Sequence, residues 1–231
     1  MNQTLFGIPI MSIIMIICFI PAIVVHEVSH GFVAYKLGDP TAKSRGRLTL
    51  NPLKHIDPFG TVILPIFLAI VGGPVFGYAK PVPYNPSYFK NIRKGELMTG
   101  LAGPASNLAM AIVGTLIVYA CYFSGIFPDS VFVWIYLVGV SFVLVNLCLL
   151  FFNVLPIPPL DGSSVIALFL SDKALRKYYN IQRYALPVLL ILLFAIPWLF
   201  SAFFGINFSP LGIYIQATAG NLTNFFFSFI F

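Results

Sequence analysis

Charge is scarce in this chain of 231 residues. Only 9% of the residues are charged, seven of them acidic, whereas 59% are hydrophobic, and the mean hydropathy is +0.94. A water-soluble domain carries about 25% charged residues, so a soluble fold is excluded for most of the length. Roughly four to six spans of ~20 residues fit instead, leaving no stretch for a separate soluble domain. Cysteine is equally sparse. Cys18, Cys121 and Cys148 lie in separate apolar stretches, form no CxxC pair and read as small buried hydrophobes. The N-terminal MNQTLFG lacks a basic region, so no cleaved signal peptide is expected. Internal repeats and low-complexity linkers are missing as well. The net charge of +6 would suit a nucleic-acid binder, but in a membrane protein it marks cytoplasmic loops; no nucleic-acid partner is expected.

What is present is a series of apolar segments at about 8–35, 59–77, 98–123, 131–158, 184–204 and 206–231. The loop 36–57 carries Lys36, Lys43, Arg45, Arg47 and Lys54, and the loop 78–97 carries Lys80, Lys90, Arg93 and Lys94. The loop 171–183 carries Lys173, Arg176, Lys177 and Arg183, while 124–130 has no basic residue. Basic loops stay in the cytoplasm, which puts the N-terminus outside and the first two basic loops inside. Segment 59–77 then has cytoplasmic charge at both ends. It is expected to be re-entrant, dipping in and returning, rather than an ordinary span. Pro65, Gly72, Gly73, Pro74 and Gly77 interrupt it, and broken backbone at membrane depth survives only where protein or water covers it. Segments 98–123, 131–158 and 184–204 alternate across the membrane without conflict. Segment 206–231 reads as a weak span or a surface-lying helix.

One acidic residue stands apart. Glu27 follows the apolar run IIMIICFIPAIVV, where an ionisable group costs about 2.5–3.5 kcal/mol and marks function. Two of the three histidines flank it, giving His26-Glu27-Val28-Ser29-His30. Residues i and i+4 share a helix face, so both imidazoles reach one tetrahedral zinc ion. Glu27 is placed to take a proton from a water at the metal and deliver it to a leaving amine. A dication also relieves the cost of burying that carboxylate. The competing reading is two core histidines bonded to carbonyls. His55, alone in a basic loop, reads as solvated.

A catalytic zinc site needs a third protein ligand and an open position. The loop acids are too exposed to be first choices. Asp161, at the end of NVLPIPPLDG, falls near the cytoplasmic end of segment 131–158, at the depth and on the side of His26 and His30. Pro156, Pro158 and Pro159 break the helix before it. Standing alone, Asp161 reads equally as an Asp-Gly turn residue.

HEVSHG at 26–31, AGPASN at 102–107 and NVLPIPPLDG at 153–162 together resemble the signatures of the site-2 protease family of intramembrane zinc metalloproteases, in family order and spacing. The resemblance is to small members without a PDZ or CBS domain. It implies one Zn²⁺ per chain held by His26, His30 and Asp161, Glu27 as general base, and transmembrane proteins as substrates. It also implies that the glycine-rich region around Gly72 and Gly73 belongs to a re-entrant β-hairpin that helps hold the substrate. Asn107 could donate to a developing oxyanion or to substrate backbone, a role the resemblance favours over helix packing. Asn146 and Asn153 are two helical turns apart. Asn146 reads as glue between helices, and Asn153, inside the third signature, is expected to orient Asp161 or contact substrate.

The expected architecture is an all-α polytopic membrane protein. Residues 1–170 form a three-helix catalytic core with a re-entrant hairpin, possibly β. Residues 171–231 add a cytoplasmic loop and one or two further transmembrane helices. The expected location is the cell membrane, multi-pass, with the site near the cytoplasmic side. Two rival functions use the same residues. A metal transporter would want polar groups along a whole pathway, whereas here they gather at one depth. A non-proteolytic membrane-protein binder would not need the HE and LDG elements.

Overall fold

The computed structural model of the protein describes residues 4–5, 8–64, 67, 77–181, 184–206 and 208–230. Among the described residues, three helices are long and apolar enough to cross a membrane: α1 (Ile10–Lys36), α2 (Ile92–Ser124) and α3 (Asp129–Asn153). They pack on one another pairwise. A two-residue antiparallel pairing, β1 (Thr4–Leu5) with β2 (Ile8–Pro9), precedes α1. Ile14, Cys18 and Ala22 of α1 bury against Val145 of α3. A second cluster joins Ala111 and Val118 of α2 to Phe132, Val143 and Leu147 of α3.

The helix ends follow local chemistry. Helix α2 begins six residues before the apolar segment does, because Asn91 accepts from the Lys94 amide at 3.0 Å and caps a turn that carries surface charge. It stops at Gly125, whose φ of 61° is left-handed. Helix α3 stops at Asn153, five residues short of the expected 158. Pro156, Pro158 and Pro159 cannot continue it, and the loop closes on itself through the Gly162 amide and the Asn153 carbonyl at 2.7 Å. A Cβ on Gly162 would collide with the Val154 carbonyl, so this turn requires glycine.

Beyond the loop come α4 (Ser163–Phe169) and α5 (Asp172–Ile181). Residues 185–204 form α6 and residues 210–227 form α7, each with a π-type turn in its middle. Helix α7 packs along α3. Tyr214 donates to the Phe151 carbonyl at 3.1 Å near one end of α3, and Phe227 packs on Tyr136 near the other. Helix α7 therefore runs antiparallel to α3 for about 20 Å, with Ala219, Phe227 and Ile230 buried in the shared core.

Segment 59–77 leaves and returns at one place. Asp57 caps a helical turn over Pro58–Ile63, accepting from the Phe59 and Gly60 amides at 3.0 and 2.7 Å. At the far end the Tyr78 amide donates to the Gly60 carbonyl at 3.0 Å, and Thr61 Oγ1 donates to the Tyr78 carbonyl at 2.8 Å. The two ends of the segment are thus held side by side. Its described start is helical. Gly72, Gly73 and any β-hairpin around them lie outside the described residues.

Candidate metal centre

The HExxH motif sits on the last three turns of α1. His26 and His30 face inward, 3% and 8% exposed. Their Nε2 atoms lie 3.1 Å apart. Asp161 Oδ2 is 3.2 Å from His26 Nε2 and 3.4 Å from His30 Nε2. Among the described residues these three form a group whose ligand atoms all lie within 4.8 Å of one another.

The outer ring nitrogens fix what the inner ones are. His26 Nδ1 meets Asn107 Oδ1 at 2.6 Å, and His30 Nδ1 meets the Thr99 carbonyl at 2.7 Å. Both partners are acceptors, since Asn107 Nδ2 already donates to Asn146 Oδ1 at 2.9 Å. Each Nδ1 therefore carries the hydrogen, and each Nε2 presents a lone pair inward. Asp161 Oδ2 is buried there without a hydrogen-bond partner. Three lone pairs converge with no proton among them, an arrangement that is repulsive unless a cation lies between. Ligands tetrahedrally placed about 2.0–2.1 Å from zinc are about 3.3 Å apart, which matches the three observed separations. The residues fit the metal.

Close backbone approach makes the pocket. A Cβ on Gly103 would stand 2.5 Å from His26 Cε1 and from His30 Nε2, so α2 contacts the imidazoles only because that residue is glycine. Gly100, one turn earlier, lets α2 meet Ser164 and the Asp161 carbonyl. Ser164 Oγ donates to that carbonyl at 2.7 Å, anchoring the loop that delivers Asp161.

Glu27, next to His26, meets the segment 78–85. Its Oε2 accepts from the Val82 amide at 2.9 Å. The segment is fastened along its length. The Lys80 amide donates to the His55 carbonyl at 2.8 Å, Arg47 Nη2 donates to the Lys80 carbonyl at 2.7 Å, and the Asn85 amide donates to Asp39 Oδ2 at 2.6 Å. A Cβ on Gly31 would strike Val82 Cγ1 at 2.5 Å, so glycine after His30 allows this segment to lie against α1.

The remaining sequence-derived residues are placed as follows. Asn107 is fully buried, and its amide hydrogens go to Asn146 and, at 3.4 Å, to the Ala22 carbonyl. In this structure it orients a histidine. Asn146 links α2 to α3. Asn153 Nδ2 donates to the Leu149 carbonyl at 3.0 Å within its own helix, and its backbone carbonyl closes the Asp161 loop. His55 is 2% exposed rather than solvated, with Nε2 at 2.9 Å from the Thr49 carbonyl. Sequence reasoning missed the Thr99 carbonyl, Gly103 and the Val82 amide. Only Gly103 had a signal, inside AGPASN.

Comparison with known proteins agrees with this chemistry. The chain is 37% identical to "Putative zinc metalloprotease YwhC" of Bacillus subtilis (strain 168), over 77% of this chain and 78% of that protein. It is 28% identical to "Putative zinc metalloprotease Rip2" of Mycolicibacterium smegmatis, over 92% of this chain and 80% of that one. With the protein of the same name in Mycobacterium tuberculosis (strain H37Rv) the identity is 33%, over 78% and 66%. No family model and no solved structure matches the chain.

Proposed function

The chain belongs to the family of zinc metalloproteases that these relatives represent, and from that premise we propose that it is an intramembrane protease of the site-2 type. It hydrolyses peptide bonds within or beside transmembrane segments of other proteins. The observation that carries this reading is the convergence of His26, His30 and Asp161 at the polar end of an apolar helix, with Glu27 in the same turn. His26, His30 and Asp161 hold one zinc ion. When bound, zinc polarises the scissile carbonyl and acidifies water.

Glu27 is the proton shuttle. Its carboxylate takes a proton from the attacking water and later gives it to the leaving amine, so that the products separate neutral at nitrogen. The Val82 amide holds one carboxylate oxygen and leaves the other for this work. Asn107 and the Thr99 carbonyl keep both imidazoles in the tautomer that faces the metal. The substrate must unwind locally, because a helix hides its carbonyls in its own hydrogen bonds. An extended edge near segment 59–77 would hold it by strand addition. The basic loops support a site near the cytoplasmic side of the cell membrane, with the N-terminus outside.

The experiment is wild type against Glu27→Gln in membranes, reading cleavage of a single-span test protein and the zinc content of each chain. Cleavage is expected to fall about 10²–10⁴-fold with zinc retained. Full cleavage by a zinc-loaded Glu27→Gln variant would sink the mechanism.

A further inference from the structure

Helix α5 has no place in the chemistry above, yet its composition is strongly ordered. Its sequence is DKALRKYYNI. At 100° per residue, Ala174, Leu175, Tyr178 and Ile181 fall on one face, and Lys173, Arg176, Lys177 and Asn180 on the opposite one. Lys173, Arg176 and Lys177 are exposed, whereas Ala174, Leu175 and Tyr178 are half-buried. Among the described residues the helix packs extensively on no other element. Aromatic residues bracket it: Phe169 is 80% exposed just before it and Tyr184 is 53% exposed just after.

Two further facts restrict what this helix meets. It is strung between α4, which packs on α2, and the apolar helix α6, by a few residues at each end. It therefore stays beside the membrane surface. It is also tied to the metal centre, because the Tyr178 hydroxyl donates to the Pro156 carbonyl at 3.0 Å, in the loop that presents Asp161.

We propose that α5 is a lipid-headgroup site: it lies in the membrane surface with Lys173, Arg176 and Lys177 on anionic headgroups, and Tyr178 passes that anchorage to the Asp161 loop. A basic polar face, an apolar opposite face and flanking aromatics are what an in-plane helix needs. Each basic residue near an anionic surface favours docking on the order of fivefold, so the three together favour it on the order of a hundredfold. Aromatic rings at headgroup level fit Phe169 and Tyr184. The headgroup site stands without any protease activity, and only its influence on Asp161 rests on the function proposed above.

The test uses the full chain, reconstituted into vesicles of phosphatidylcholine alone or of phosphatidylcholine with phosphatidylglycerol. A Leu175→Cys variant carries an environment-sensitive label, and iodide quenching reads its access to water. Protection is expected in the anionic vesicles, to fall in high salt, and to be lost in Lys173→Gln/Arg176→Gln/Lys177→Gln, all three positions being exposed and thus compatible with folding. Equal quenching in both vesicles overturns the proposal. So does protection that is equal in both and survives the triple substitution, which means apolar anchoring alone. Protection only in native membranes overturns it too, in favour of an acidic protein partner. Tyr178→Phe reads the coupling. It should leave quenching unchanged while zinc is released to chelator several times faster; unchanged zinc release removes the link to the loop. A chain that cleaves nothing in any lipid but shows the protection pattern refutes the protease reading and leaves the headgroup site standing.

Discussion

His26 Nδ1 and the Asn107 side-chain oxygen, 81 residues apart in the chain, lie 2.6 Å from one another. That contact turns the other ring nitrogen toward Asp161. Partners of this kind set both tautomer and ring angle, and removing one costs about 10–100-fold in metal affinity. Asn107→Ala is therefore expected to lose zinc to a graded chelator at correspondingly lower concentration. Retention equal to wild type would mean that His26 is held by packing alone.

Gly103 has the opposite kind of role, supplying space rather than a bond. A Cβ there would press on both imidazoles. Gly103→Ala should displace them, cost about 1–3 kcal/mol of stability and reduce zinc content. Thermal unfolding in detergent, with and without added zinc, measures both effects. Zinc should raise the midpoint of the wild type more than that of the variant.

The Val82 amide can be deleted without touching a metal ligand. Hydrogen bonds to charged groups contribute about 1.5–3 kcal/mol. Val82→Pro is expected to lower kcat about 10–100-fold with zinc content unchanged, while Val82→Ala, which keeps the N–H, stays near wild type. If both variants behave alike, the side chain matters and the amide does not.

Topology has its own test. Tyr84 is 40% exposed and lies beyond the point where segment 59–77 returns. A Tyr84→Cys variant should react with a membrane-impermeant thiol reagent from the cytoplasmic side. Reaction from the outside only would place this loop across the membrane and defeat the re-entrant reading.

The features legible in the sequence are those carried by rare side chains. His26, Glu27 and His30 declare themselves because charged and imidazole groups are exceptional in an apolar run and because their spacing matches a helix turn. Asp161 came from the same scarcity, with the basic loops giving its depth. The Thr99 carbonyl and the Val82 amide are backbone atoms, and no residue type announces them. Asn107 was visible as a polar group in lipid, but whether its amide turns to a ring or to a substrate depends on where Asn146 sits. His55 was misjudged for a related reason. The segment at Lys80, whose amide donates to the His55 carbonyl, comes from 25 residues away and is not a local signal. The start of α2 was placed late because its first turn carries Arg93 and Lys94, which read as loop until the Asn91 cap is seen.

The excursion that begins at Gly60 and ends at Tyr78 is fastened by hydrogen bonds at its neck. A loop held at its neck is thermodynamically tolerant, since doubling the length of a loop adds only ~0.6 kcal/mol to its closure. Changes in its length are therefore compatible with His26, Glu27, His30 and Asp161 staying where they are. The neck thus makes this stretch an exchangeable cassette, one that can be grafted between relatives without disturbing the metal centre.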